Sequence, residues 1–161
     1  MAELVPGAEA PDFTLPRDGG GTLSLSSFRG KPVVLFFYPK DDTEACTLEA
    51  KDFTAAKQDF DAAGVALIGL SPDPVKKHDK FVKKYELGVP LASDESLETL
   101  EAYDVWKEKS MYGRTYMGVE RTTVLIDAAG KIVEVWPKVK VKGHVEAVLD
   151  AAKKLSLSGK V

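Results

Sequence analysis

The chain has 161 residues, 44% hydrophobic and 29% charged, with a formal net charge of −3 and a single cysteine, Cys46. That length suits one domain over residues 1–161 that buries its own core, with 156–161 as a frayed tail. One cysteine excludes an intrachain disulfide and the cysteine-rich zinc sites, so no metal or other cofactor is expected. The mild acidity argues against a nucleic-acid partner, and no run approaches the roughly 20 apolar residues of a membrane span. Met1 to Pro16 carries Asp and Glu where a leader would be basic and then apolar, so a soluble, cytoplasmic chain is expected.

Val33 to Tyr38 is a continuous β-branched, aliphatic and aromatic run, expected as a strand buried on both faces and broken by Pro39-Lys40-Asp41-Asp42. Cys46, Ala50, Phe53, Ala56 and Phe60 then recur at spacings of three and four. This predicts one long helix with these residues on a shared stripe, ended by Gly64. Val65 to Leu70 reads as a second buried strand, closed by Ser71-Pro72-Asp73-Pro74, which completes a βαβ unit. Pro74 opens a second helix reaching about Glu86, with Val75, Phe81 and Val82 inward and His78 on the lysine-rich surface side. Val89 to Ala92 is expected as a short strand and Leu97 to Tyr103 as a short helix. Trp106, Tyr112 and Tyr116 are expected to pack within a loop, the alternative being that they line the peroxide's organic group or a partner surface. Thr122 to Asp127 and Lys131 to Trp136 alternate in strand fashion around Ala128-Ala129-Gly130, a hairpin signal. Lys138, Lys140 and Lys142 alternate with valines, as in a charged edge guarding a strand. A last amphipathic helix covers about His144 to Leu155, with no partner evident for His144. The element order is that of a thioredoxin-like α/β fold, a central mixed sheet flanked by helices. Thr22 to Leu25 at the N-terminus and an insertion from about Gly88 to Glu120 are added to it.

Cys46 admits two readings. Free cysteine is among the most buried residue types, and a stripe shared with Phe53 and Phe60 fits a core thiol. Its position points elsewhere. With Thr43 as N-cap, Cys46 is the third helical residue, where unpaired N–H groups and the positive end of the helix dipole favour an anion. It also follows a strand–turn–helix junction, the edge at which α/β sheets place their sites. Cysteines so placed ionise readily, and the thiolate is the nucleophile. Glu44 and Glu49 oppose this, so a cation must compensate, from Lys40, Lys51, Arg114 or Arg121. Arg121, at the mouth of the Thr122 strand, would lie beside the end of the first strand.

The stretch Phe36 to Phe53, FFYPKDDTEACTLEAKDF, resembles the active-site segment of the peroxiredoxins, with Pro39, Thr43 and Cys46 at the family's spacing. More narrowly, the chain is similar to the peroxiredoxin Q group, also called bacterioferritin comigratory proteins. GAEAPDFTLP, GVALIGLSPDPVKKHDKF, VWKEKSMYGRTYMG and ERTTVLIDAAGKI extend the likeness over nearly the whole chain. The resemblance implies a thiol-dependent peroxidase acting on hydrogen peroxide and organic hydroperoxides. It assigns Cys46 as the peroxidatic cysteine that becomes a sulfenic acid, and Thr43 as the hydroxyl that contacts thiolate and peroxide. It assigns Pro39 as a shield over the sulfur, Arg121 as the group stabilising thiolate and leaving oxygen, and Glu49 as the residue orienting that arginine.

The chain departs from the group's pattern in two respects. Glu44-Ala45 stands where Pro-Gly is usual, and Lys51 and Val82 occupy positions where members carry a resolving cysteine. The oxidised sulfur must therefore meet an external thiol, such as thioredoxin, glutaredoxin or a small thiol, meet a second Cys46, or over-oxidise. A monomer or weak homodimer is expected, with no membrane or nucleic-acid partner. A peroxide sensor or thiol relay, and a non-catalytic holdase, are the rival readings.

Overall fold

The apolar run after Pro32 forms β3 (Val33–Phe37), every residue of which is buried. The computed structural model describes residues 4–158, so Met1 to Glu3 and Gly159 to Val161 lie outside the described residues. Ahead of β3, β1 (Thr14–Pro16) and β2 (Thr22–Ser24) pair antiparallel. After it come α1 (Glu44–Ala55), α2 (Lys57–Ala62), β4 (Ala66–Ser71), α3 (Val75–Tyr85) and β5 (Leu91–Ser93). The chain continues through α4 (Glu98–Ala102), β6 (Trp106–Met111), β7 (Arg114–Val119), β8 (Thr122–Ile126), β9 (Ile132–Trp136) and α5 (His144–Ser158).

Among the described residues the central sheet has five strands in the order β5-β4-β3-β8-β9. β3 pairs parallel with β4 and antiparallel with β8, so it is the innermost strand and is covered on both faces. Period-two alternation sends its side chains to two cores. Val33, Leu35 and Phe37 join the N-terminal segment, Leu100, Tyr103 and Val119 on one side. Val34 and Phe36 join Phe53, Phe60, Phe81, Val145 and Val148 of the helices on the other. This is the thioredoxin-like arrangement, a mixed sheet flanked by helices. No helix among the described residues is long and apolar enough to cross a membrane.

Several expectations need correction. The single helix from Cys46 to Phe60 is two, interrupted at Ala56, whose φ of −91° and ψ of 1° leave the helical region. Phe53 and Phe60 nonetheless stay in one core with ring centroids 6.0 Å apart. Trp106, Tyr112 and Tyr116 do not pack in a loop: β6 and β7 form an antiparallel hairpin that is a two-stranded sheet of its own, with Tyr112 at its tip 97% exposed. Lys138, Lys140 and Lys142 follow β9 in irregular chain and not in a strand, with the Val139 N–H donating to the Arg121 carbonyl at 2.9 Å. The final helix continues to Ser158, past the expected end at Leu155. His78 is not on the surface. It is fully buried on the stripe that also carries Phe81, because positions 78 and 81 are one helical turn apart.

Candidate active site

β3 ends at Phe37, and the chain turns through Pro39 to Thr43 before α1 begins. Thr43 occupies the N-cap position with extended backbone (φ −94°, ψ 160°), but its side chain makes no capping bond. Its Oγ1 donates instead to the Lys40 carbonyl at 2.9 Å, closing the turn on itself. Cys46 is the third residue of α1. Its N–H is therefore one of the groups a helix start leaves without an intrahelical partner. Pro39 is half-buried beside the turn, and Thr43 is exposed.

The thiol is 2% exposed and contributes to the helix-side core with Ala50 and Phe53. Burial of this kind suits an inert core thiol. Its polar neighbour does not. Thr122 pairs with Phe37 across the sheet, which places Arg121, the preceding residue, over the end of β3. From there Arg121 Nη2 donates to Cys46 Sγ at 3.1 Å, and Nη1 donates to Glu49 Oε1 at 2.7 Å. One planar guanidinium thus bridges a thiol and a carboxylate that are one helical turn apart.

Glu49 is completely buried, and its second oxygen, Oε2, has no hydrogen-bond partner among the described residues. Burial pushes Glu49 up to about 7, with the Arg121 charge pulling the other way. Burial also works against the charge on Arg121, but Glu49 and Cys46 outweigh it and move Arg121 upward. The guanidinium is a permanent cation at the sulfur.

The structure brings Cys46, Arg121 and Glu49 into direct contact and sets Thr43 and Pro39 in the adjoining turn. Of the other cations considered, Lys51 lies over the Tyr85 ring, 5.8 Å from its centroid, and Arg114 is exposed on β7. Two residues near the site were not assigned to it by sequence. Lys109 on β6 interacts electrostatically with Arg121 and Cys46, and burial followed by the Arg121 charge moves it downward. Its stem rests against Gly118 of the paired strand, which has no side chain to displace it. His144, at the start of α5, bonds Thr123 Oγ1 through Nε2 at 2.8 Å. Burial, and then the Arg121 charge, push it down to about 4, so it stands neutral.

A buried sulfur at a helix start with a cationic donor aimed at it, at the edge of a thioredoxin-like sheet, is the arrangement of a thiol-dependent redox protein. Residues 6–135 match the model of the AhpC/TSA family. The chain is 46% identical over 150 residues to peroxiredoxin Bcp of Bacillus subtilis, covering 93% of this chain and 96% of that protein. It is 50% identical over 143 residues to a putative peroxiredoxin bcp of Coxiella burnetii, covering 89% and 95% respectively. Among solved structures, the Xanthomonas campestris bacterioferritin comigratory protein, studied for its alkyl peroxide reduction activity, superimposes with a TM-score of 0.89. The identity there is 42%, over 94% of this chain and 99% of that one. The chain belongs to the AhpC/TSA family, and within it to the peroxiredoxins of the Bcp or Q type. It is a thiol-dependent peroxidase.

Proposed function

We propose that Cys46 is the peroxidatic nucleophile of a one-cysteine peroxiredoxin that reduces hydrogen peroxide and organic hydroperoxides. The observation that carries this reading is the 3.1 Å bond from Arg121 Nη2 to the sulfur. A charge-assisted donor has no purpose on a neutral core thiol, whereas it favours a thiolate and any negative charge that develops beside it.

The Cys46 thiolate attacks the terminal oxygen of the hydroperoxide. The S–O bond forms as the O–O bond breaks, and the electron pair leaves on the second oxygen, which takes up a proton to become water or an alcohol. The sulfur becomes a sulfenic acid. Arg121 and the free N–H groups of the first turn of α1 face the charge on the departing oxygen. Thr43, in the adjoining turn, supplies a hydroxyl to hold the peroxide in line, and Pro39 screens the sulfur from water. Glu49 fixes the plane of the guanidinium through its 2.7 Å bond. Alignment of this kind, more than intrinsic thiol reactivity, supplies the rate.

Cys46 is the only cysteine in the chain, so resolution is intermolecular. An external thiol attacks the sulfenic sulfur, releases water and leaves a mixed disulfide. A second thiol then regenerates Cys46 and leaves with the first as a disulfide. Thioredoxin, glutaredoxin or a small thiol fits this role. A cytoplasmic setting supplies such thiols and keeps an unpaired cysteine reduced. With the sulfur only 2% exposed, the first turn of α1 must open before a thiol reaches it.

Mass spectrometry of Cys46 after one equivalent of peroxide tests the reading. A single added oxygen, replaced by a mixed disulfide when thiol is present, is the expected result. An unmodified Cys46 with peroxide left unconsumed would overturn it.

A further inference from the structure

His78 has no part in the peroxide chemistry above, yet it is fully buried and both of its ring nitrogens are engaged. Nε2 lies 3.0 Å from the Ala92 carbonyl oxygen on β5, and Nδ1 lies 2.7 Å from Asp41 Oδ2. A carbonyl and an ionised carboxylate only accept, so a ring that serves both donates from both nitrogens. Asp41 is held from other directions as well. Its Oδ1 accepts from the Tyr38 hydroxyl at 2.6 Å, and its backbone N–H donates to Asp73 Oδ2 at 2.8 Å. Asp73 Oδ2 in turn accepts from Ser71 Oγ at 2.8 Å. These are buried residues at the C-terminal ends of β3 and β4, directly beneath the turn that leads to Cys46.

Asp41 lies two residues before Thr43. The next residue, Asp42, is bound on the outside of the turn, where Lys84 Nζ donates to Oδ2 at 2.9 Å and the Tyr85 hydroxyl to Oδ1 at 2.6 Å. Helix α3 therefore grips the turn from below through His78 and from above through Lys84 and Tyr85. The exposed grip contributes little in water, whereas breaking a buried carboxylate–imidazolium pair leaves an unpaired charge inside the protein.

We propose that His78 is a positioning residue for the Cys46 site: by tying Asp41 to β5 through its ring it fixes the turn that sets Thr43 and the start of α1 around the sulfur. The clamp acts through Asp41 alone, since no bond from His78 reaches Thr43, Cys46 or Arg121. This inference rests on Cys46 being the reacting thiol.

Two substitutions separate the bonds of the ring. His78→Asn places an amide N–H where Nδ1 was and keeps the donor to Asp41. His78→Gln places it where Nε2 was and keeps the donor to Ala92. The measurement is the single-turnover rate of Cys46 oxidation by hydrogen peroxide, taken beside the thermal midpoint of each variant. The expected result is a loss of about tenfold in His78→Gln, with His78→Asn recovering most of the rate even at the same thermal midpoint. Asp41→Ala should lose at least as much, and the Asp41→Ala/His78→Gln double variant no more than Asp41→Ala alone. Equal rates in the Asn and Gln variants at matched stability, or additive losses in the double variant, would overturn the inference. If His78→Gln does not fold, Asp41→Ala decides: a wild-type rate there contradicts the clamp. A wild-type protein whose Cys46 is not oxidised at all would instead contradict the proposed function, so the two failures are distinguishable.

Discussion

Arg121 and Cys46 are 75 residues apart in sequence, yet Nη2 of one lies 3.1 Å from Sγ of the other. The antiparallel pairing of β8 with β3 produces this contact, because it sets the residue before Thr122 over the end of the strand that leads into α1. Arg121→Ala removes the donor and the charge together. Peroxide oxidation of Cys46 should slow by about 100- to 1,000-fold, the usual cost of losing one donor to a developing anion. Arg121→Lys keeps the charge but not the planar fork, so it should recover only part of the rate. Stopped-flow measurement of single-turnover oxidation checks both.

Glu49 ties pH to that geometry. Burial holds it up to about 7 against the pull of Arg121, so acidification through that range protonates the carboxylate and weakens its hold on the guanidinium. The oxidation rate should therefore fall as pH drops through about 7. Glu49→Gln should give a lower rate from which this component of the pH profile is missing. A variant profile that keeps the same step would show that another group produces it.

The two histidines should make opposite contributions to stability. For His78, burial opposes the charged ring, but the bond to Asp41 and its charge outweigh burial and raise it above its ordinary 6.5. Its contribution is complete below 6.5 and is lost as pH rises through the raised value. Tyr38, Asp41 and Asp73 are the titratable groups facing it. His144 is pushed from 6.5 down to about 4, so the unfolded chain binds the proton first and stability falls as pH drops between those values. Thermal melts against pH should show the acid-side loss shrinking in His144→Gln and the alkaline-side loss shrinking in His78→Asn.

Gly69 sits in β4 beneath the core that carries α1. A Cβ there would come within 2.7 Å of the Phe36 ring and 2.8 Å of Leu91 Cδ2, both fully buried. Phe36 is itself stacked on Phe53 of α1 with centroids 4.5 Å apart, so the strain would pass to the helix bearing Cys46. Gly69→Ala should destabilise the protein by about 1–3 kcal/mol. At this chain length each kcal/mol lowers the thermal midpoint by about 2–4 °C. Calorimetry checks the stability loss.

The inner parallel pair of the central sheet, β3 and β4, was legible in sequence because it is buried on both faces. Val33 to Phe37 and Val65 to Leu70 have no polar residue to obscure them. The β6–β7 hairpin was not, for the opposite reason. Most of its residues are exposed or half-buried, so no alternation marks it. Its one signal is Tyr112-Gly113, a two-residue turn with φ of 53° and 78°, which is the positive-φ geometry of tight hairpins with tyrosine in the place usually held by Asn or Asp. His78 was misplaced because lysines flank it in sequence. The helical period relating it to Phe81 was the better guide, and a buried histidine implies partners that only the fold can supply. For the site, the helix-start position of Cys46 could be read locally. The arrival of Arg121 over Cys46 and Glu49 depends on strand order, which no local pattern carries.

The most direct test of the account is steady-state peroxide consumption with dithiothreitol as reductant, comparing wild type with Cys46→Ser. The account predicts sustained turnover by the wild type and none above background in the variant. Equal consumption by the two proteins would contradict it.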